Sequence, residues 1–266
     1  MKKINILSLA AAISAALLST QVSAGIVGID NFDQTTQVLE FDPPAGTPVP
    51  PASSEFNEVQ TGPGEAIGGY RDMFISTANP ITFNDNGQAT VVSSLGEVQV
   101  SNTGNASIVV EFTWDGMDNS AAVDTDGLGG IDLTMGGLND GILVGNTRTD
   151  LDVALQFNIW DTSGATGSLS RTFQQDTNGE DVFFAYDQLS NAIDLTNIGA
   201  IQLVVTGPDA YDLQFDLLQS TTLTPQTPTP PTTTPPPTSV ASPATLALVS
   251  IGLFGLGFTR HRNKRS

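Results

Sequence analysis

Ile108-Val109-Val110-Glu111-Phe112-Thr113-Trp114 places a large apolar side chain at every second position. Ile108, Val110, Phe112 and Trp114 share one face and Glu111 and Thr113 the other, the period of two that marks a strand buried on one side. Val153, Leu155, Phe157 and Ile159 repeat the pattern against Asp152, Ala154, Gln156 and Asn158. Residues 201–206 and 211–217, joined through Gly207-Pro208-Asp209-Ala210, read as a closing hairpin. Shorter strands are predicted at 26–30, 73–76, 90–94, 97–101, 131–135, 168–173 and 182–186, with one helical turn within 189–198. The Pro- and Gly-rich stretch 43–69 reads as a long surface loop. Short alternating strands between Gly, Asn and Asp turns predict an all-β fold, a single antiparallel β-sandwich of jelly-roll type, over residues 25–222.

Composition removes most chemistries from that body. All 28 Asp and Glu lie within it, against only Arg71, Arg148 and Arg171 of the nine basic residues, so its formal charge is 3 − 28, about −25. Such a surface repels nucleic acid and anionic lipid. The chain has no cysteine, and its one histidine, His261, lies outside the body. A Ser-His-Asp triad, a thiol nucleophile, a His/Cys zinc site, a lysine Schiff base and disulfides are therefore excluded there.

Both ends of the chain read as addresses. Lys2 and Lys3, an apolar stretch at 4–18 and Val22-Ser23-Ala24 form the pattern of a secretory signal peptide over 1–24. Residues 223–238, almost wholly Thr and Pro, predict a disordered polyproline II linker or stalk of roughly 3.1 Å per residue, either bare or carrying O-glycans. Within 239–266, Ser242-Pro243 precedes an apolar segment at 244–258, and Arg260, His261, Arg262, Lys264 and Arg265 follow. As a helix the apolar segment rises about 22 Å at 1.5 Å per residue, a short transmembrane span whose basic flank stays cytoplasmic.

This tail resembles the PEP-CTERM sorting signal of Gram-negative bacteria, with Ala241-Ser242-Pro243 standing where the family has Pro-Glu-Pro. The resemblance covers 240–265. It implies that Ser242, Pro243, Arg260 and Arg262 belong to a motif read by an exosortase-type processing enzyme. It further implies transient anchoring in the inner membrane, then delivery to the cell surface or an exopolysaccharide matrix, the alternative reading of the tail being a permanent single-span anchor.

Two groups of residues in the body are candidates for contact with ligands. Asp115, Asp118, Asp124, Asp126 and Asp132 form the densest run of acids, and Asp124-Thr125-Asp126-Gly127 resembles the start of a calcium loop, although its Gly comes too early for an EF-hand and no Glu closes it. A structural calcium held by Asp124, Asp126 and Asp132 is expected, the alternative being a solvated acidic loop. Tyr70 and Arg71, after Gly68-Gly69, and Trp160, on the polar parity of its strand, are the candidates for binding polysaccharide. Arg71 has the alternative of pairing with an acid, and Trp160 that of plugging the edge of the core. The functional expectation is an exported, non-catalytic protein that binds polysaccharide. The alternatives are a calcium-bridged matrix protein with no specific ligand and, more remotely, a carboxylate-dependent glycoside hydrolase.

Overall fold

A computed structural model describes residues 25–41, 54–77, 89–102 and 108–223, with the backbone of Pro48–Val49 and Ile81–Thr82. The chain divides between Leu223 and Thr224, and all described residues belong to the first unit. The signal segment at 1–24 and the stalk and sorting tail beyond 223 lie outside the described residues. Within them no helix is long and apolar enough to cross a membrane.

Sixteen strands run through the described residues. The first eight are β1 (Val27–Asp30), β2 (Gln37–Phe41), β3 (Pro48–Val49), β4 (Ser54–Gln60), β5 (Tyr70–Thr77), β6 (Ile81–Thr82), β7 (Ala89–Ser94) and β8 (Glu97–Asn102). Then come β9 (Ile108–Trp114), β10 (Gly141–Thr149), β11 (Val153–Asp161), β12 (Thr166–Phe173), β13 (Thr177–Ala185), β14 (Ile198–Thr206), β15 (Asp212–Phe215) and β16 (Leu217–Thr221). One sheet has the order β12-β11-β14-β9-β5-β4. The other runs β1-β16-β10-β15-β8-β7-β2, with β13 also paired to β10, and β3 and β6 form a separate two-stranded ribbon. Every pairing is antiparallel.

The period of two explains the core. Ile108, Val110, Phe112 and Trp114 of β9 are fully buried, as are Val153, Leu155, Phe157 and Ile159 of β11. They join side chains of the second sheet, among them Val98, Val144, Phe184 and Phe215, in one apolar cluster. Phe32, Phe112 and Phe215 meet edge to face with centroids 5.7 to 6.5 Å apart, the arrangement that aromatic quadrupoles prefer.

Four sequence expectations change. No helical turn lies within 189–198, and a single 3-10 turn stands just before it, at Tyr186–Gln188. The segments 201–206 and 211–217 do not form one hairpin: β14 lies between β11 and β9, whereas β15 lies between β8 and β10. Tyr211, fully buried between them with its ring where a side chain on Gly207 would sit, marks the corner at which the chain changes sheets. Residues 131–135 form turns, with Ile131 making only an isolated bridge to Ile198. The stretch 43–69 holds β4, the edge strand of the six-stranded sheet. Its sequence hid it, because Phe56 and Val59 are three apart and an edge strand half-exposed on both faces needs no alternation.

Candidate functional site

The outer face of the six-stranded sheet is a polar platform with aromatic margins. Register sets Gln156 beside Val204, Val204 beside Glu111, Glu111 beside Phe74 and Phe74 beside Phe56. The adjacent row runs Asn158, Gln202, Thr113, Asp72 and Glu58. At about 4.8 Å between strands, the four gaps that each row crosses span about 19 Å.

The amides of these rows are linked in series. Gln156 Nε2 donates to Asn158 Oδ1 at 2.8 Å and Asn158 Nδ2 to Gln202 Oε1 at 3.1 Å. Gln202 Nε2 in turn donates to Glu111 Oε2 at 2.9 Å and to Thr113 Oγ1 at 3.3 Å. Each amide is thus oriented by its neighbour; Gln156 and Asn158 each keep a second N–H, whereas Gln202 spends both of its own and keeps only acceptor capacity. Burial pushes the Glu111 carboxyl above its ordinary range. Trp160, Tyr70, Phe74 and Phe56 are all half-buried.

Acids gather at the β4–β5 end of the same face. Glu58, Asp72 and Asp118 each offer a carboxylate oxygen, all within 4.8 Å of one another. Glu58 Oε2 accepts the backbone N–H of Asp118 (2.9 Å) and of Asn119 (2.6 Å), which ties the β9–β10 loop over the edge strand. Asp115 Oδ2 accepts the N–H of Asp124 at 2.8 Å, but Asp115 Oδ1 and both oxygens of Asp72 are buried without a hydrogen-bond partner. Burial first, then the charges of Asp115, Glu58 and Asp118, push Asp72 up to about 8; burial likewise pushes Asp115 up to about 6. The loop keeps this shape by close backbone contact. A Cβ on Gly127 would overlap the Asp115 carbonyl, and one on Gly199 the Thr125 carbonyl.

Arg71 alternates to the inner side of β5 and is 0 % exposed. Its Nη1 lies 3.0 Å from both oxygens of Asp30 and 3.7 Å from Glu65. Nε donates to Gln37 Oε1 and Nη2 to the Thr35 carbonyl, while the guanidinium stands 5.0 Å from the Phe32 ring centroid. Trp114 Nε1 donates to Asp30 at 2.8 Å. Burial raises Asp30 to about 6, with Arg71, Trp114 and the Phe32 N–H holding it from rising further.

No protein-family model and no curated protein matches the chain. Among solved structures it is similar to the family 11 carbohydrate-binding module of the cellulase Lic26A-Cel5E of Clostridium thermocellum, at 9% identity over 75% of this chain and 96% of that one, with a TM-score of 0.36. The family 30 carbohydrate-binding module of the same organism's Cel9D-Cel44B matches at 13% identity over 70% and 98%, with a TM-score of 0.34. PfGH50B matches at 14% over 55% and 22%, with a TM-score of 0.35. Each likeness is distant and leaves this chain's ligand to its own side chains.

Of the residues nominated from sequence, Trp160 stands on the outer face beside the amide rows and Tyr70 at the start of β5 on the same parity. Arg71 takes the alternative of pairing with acids: it is buried inside the sandwich against Asp30 and Glu65, away from the outer face. Asp124, Asp126 and Asp132 do not form the converging group of carboxylates. Asp124 Oδ1 accepts the Asp126 N–H, and Asp132 spends both oxygens on the Thr134 N–H and hydroxyl and on the Gly136 N–H, which hold it below the usual range. Ser242, Pro243, Arg260 and Arg262 lie outside the described residues. Glu58, Gln156, Asn158 and Gln202 were missed; the outward parity of 156 and 158 was legible, but the strands that adjoin them were not. The other sheet bears a groove of about 620 Å³, lined by Gln99, Val100, Arg148, Asn178, Leu213 and Gln214 among others.

Proposed function

We propose that this is an exported, non-catalytic protein whose jelly-roll-like sandwich binds polysaccharide on the outer face of the six-stranded sheet. Its N-terminal signal directs export, and its tail is read by an exosortase-type enzyme that releases it from transient membrane anchoring to the cell surface or an exopolysaccharide matrix. The observation that carries the binding assignment is the oriented series Gln156–Asn158–Gln202–Glu111, exposed at Gln156 and half-buried at Asn158 and Glu111, with the buried Gln202 fixing them from beneath, between the half-buried Trp160 and the Phe56–Phe74 pair. Sugar hydroxyls both donate and accept, as do amides, and the C–H faces of sugar rings pack on aromatic surfaces. A row fixed by its own hydrogen bonds loses little side-chain freedom when a chain lies along it.

The charge of the face favours a neutral glycan. Of the three basic side chains among the described residues, Arg71 is buried, Arg148 lies on the other sheet and Arg171 on the edge strand β12, whereas Glu111, Asp72 and Glu58 stand on the face. Titration calorimetry of the purified protein against neutral and uronate polysaccharides tests the assignment. Saturable binding of a neutral glycan, weakened about tenfold or more by Trp160→Ala and by Gln202→Ala and unchanged by Arg148→Ala, is expected, each factor of ten being about 1.4 kcal/mol. Loss in Arg148→Ala alone would move the site to the groove of the other sheet. Calcium-driven self-association with no sugar preference would replace the assignment with a structural matrix role.

A further inference from the structure

We propose that Glu58, Asp72, Asp115 and Asp118 hold a calcium ion at the β4–β5 edge of the sandwich, where the loop after β9 crosses it. Acids gathered on a protein of this charge prove nothing by themselves. Asp72 supplies the independent observation. It is 4 % exposed, no N–H or hydroxyl donates to either of its oxygens, its close polar neighbour is another carboxyl, Asp115, and one of its oxygens lies within 4.8 Å of oxygens of both Glu58 and Asp118.

Asp115 adds a second buried oxygen without a partner, its other oxygen being fixed by the Asp124 N–H. The nearest basic residue in sequence, Arg71, is turned to the opposite side of β5 and committed to Asp30 and Glu65. Burying carboxylates without a donor or counter-charge is costly. An ion that takes six to eight oxygens at 2.3–2.6 Å in adaptable geometry supplies the missing partner for several of them at once.

The donor set selects among ions. It is all oxygen, which disfavours soft transition metals. Its carboxylates come from an edge strand, an interior strand and a loop, a looser cage than the near-ideal octahedron magnesium demands. Backbone N–H groups already hold one oxygen of Glu58, Asp115 and Asp118, fixing each carboxylate before an ion arrives.

The test is calorimetric titration of the purified, chelator-treated protein with calcium chloride and, separately, magnesium chloride, with melting followed in parallel. One calcium per chain at about 10⁻⁴ M or tighter, as in extracellular modules, with a rise in Tm and a clearly weaker magnesium response, is expected. Asp118→Asn, at an exposed position, weakens binding about tenfold or more, as loss of a ligand charge does. Asp72→Asn abolishes the response while melting no lower than the wild type in chelator, since no N–H or hydroxyl donor loses its acceptor. Asp124→Asn with Asp126→Asn leaves binding intact. No binding heat and no Tm rise overturns the site, as does a calcium response that survives in Asp72→Asn. An equal magnesium response overturns the assignment to calcium. None of these readouts involves a glycan, so the outcome stands whether or not the platform binds one.

Discussion

Arg71 carries its charge to a place that water does not reach. Its guanidinium is tolerable there because Asp30, Glu65, Gln37 and the Thr35 carbonyl satisfy it on several sides. Removing one partner of such a pair strands the other, so Arg71→Ala is expected to lower unfolding stability by about 3–5 kcal/mol. Urea denaturation reads this directly, and a variant that lost glycan binding at unchanged stability would return Arg71 to the binding face. Half of this outcome was legible in the sequence. Arg71 shares the parity of Met73 and Ile75, which already points it inward, whereas Tyr70 and Asp72 point out. Its partners were not legible, because Asp30 lies 41 residues away on a strand of the opposite sheet. The nearest acid in sequence, Asp72, is on the wrong side of the strand.

The loop from β9 to β10 and the edge strand β4 form one working unit. Leu128 and Gly130 N–H groups donate to the Gly199 and Ile198 carbonyls, fastening the loop to the entry of β14. Glu58 of β4 fastens its other side. Gly199 is essential to this seam, since a Cβ there meets the Thr125 backbone and no side chain is available to give way. Gly199→Ala is therefore expected to destabilise by about 1–3 kcal/mol, the usual cost of overpacking, and to weaken calcium binding at the same time. Calorimetry and denaturation on one sample check both; a stability loss with calcium affinity intact would show that the seam does not shape the acidic site. Sequence showed the acids of this loop but divided them wrongly. Asp124-Thr125-Asp126-Gly127 has the spacing of a cation loop, yet its first Asp caps its own turn. Glu58 and Asp72 meet Asp118 only through strand register, which no local motif encodes.

Across the whole molecule, burial and charge set an unusual pH dependence. Burial raises Asp30 to about 6 and raises Glu111 and Asp216 above their ordinary values. A carboxyl that binds its proton more tightly when folded makes stability fall as pH rises from its unfolded value, near 3.8 for Asp30, to its folded one. The surplus of 28 acids over three Arg in residues 25–222 acts in the same direction, because self-repulsion grows as the carboxyls ionise. Asp161 works the opposite way at lower pH. The Ser163 hydroxyl, with the Asp194 and Ala165 N–H groups, holds it at about 2, so its contribution is complete above 3.8 and lost as pH falls toward 2. In chelator and low salt the urea midpoint is therefore expected to peak near pH 4, decline towards pH 7, and fall away below pH 3. Salt at about 0.5 M shortens the Debye length well below its 10 Å value at 0.1 M and should flatten only the part of the decline due to repulsion between surface charges. The Asp30 step is buried and should persist. A midpoint that rises from pH 4 to 7 would overturn this account, since it would mean that the buried carboxyls, Asp30, Asp72 and Asp115 among them, are not held above their ordinary values.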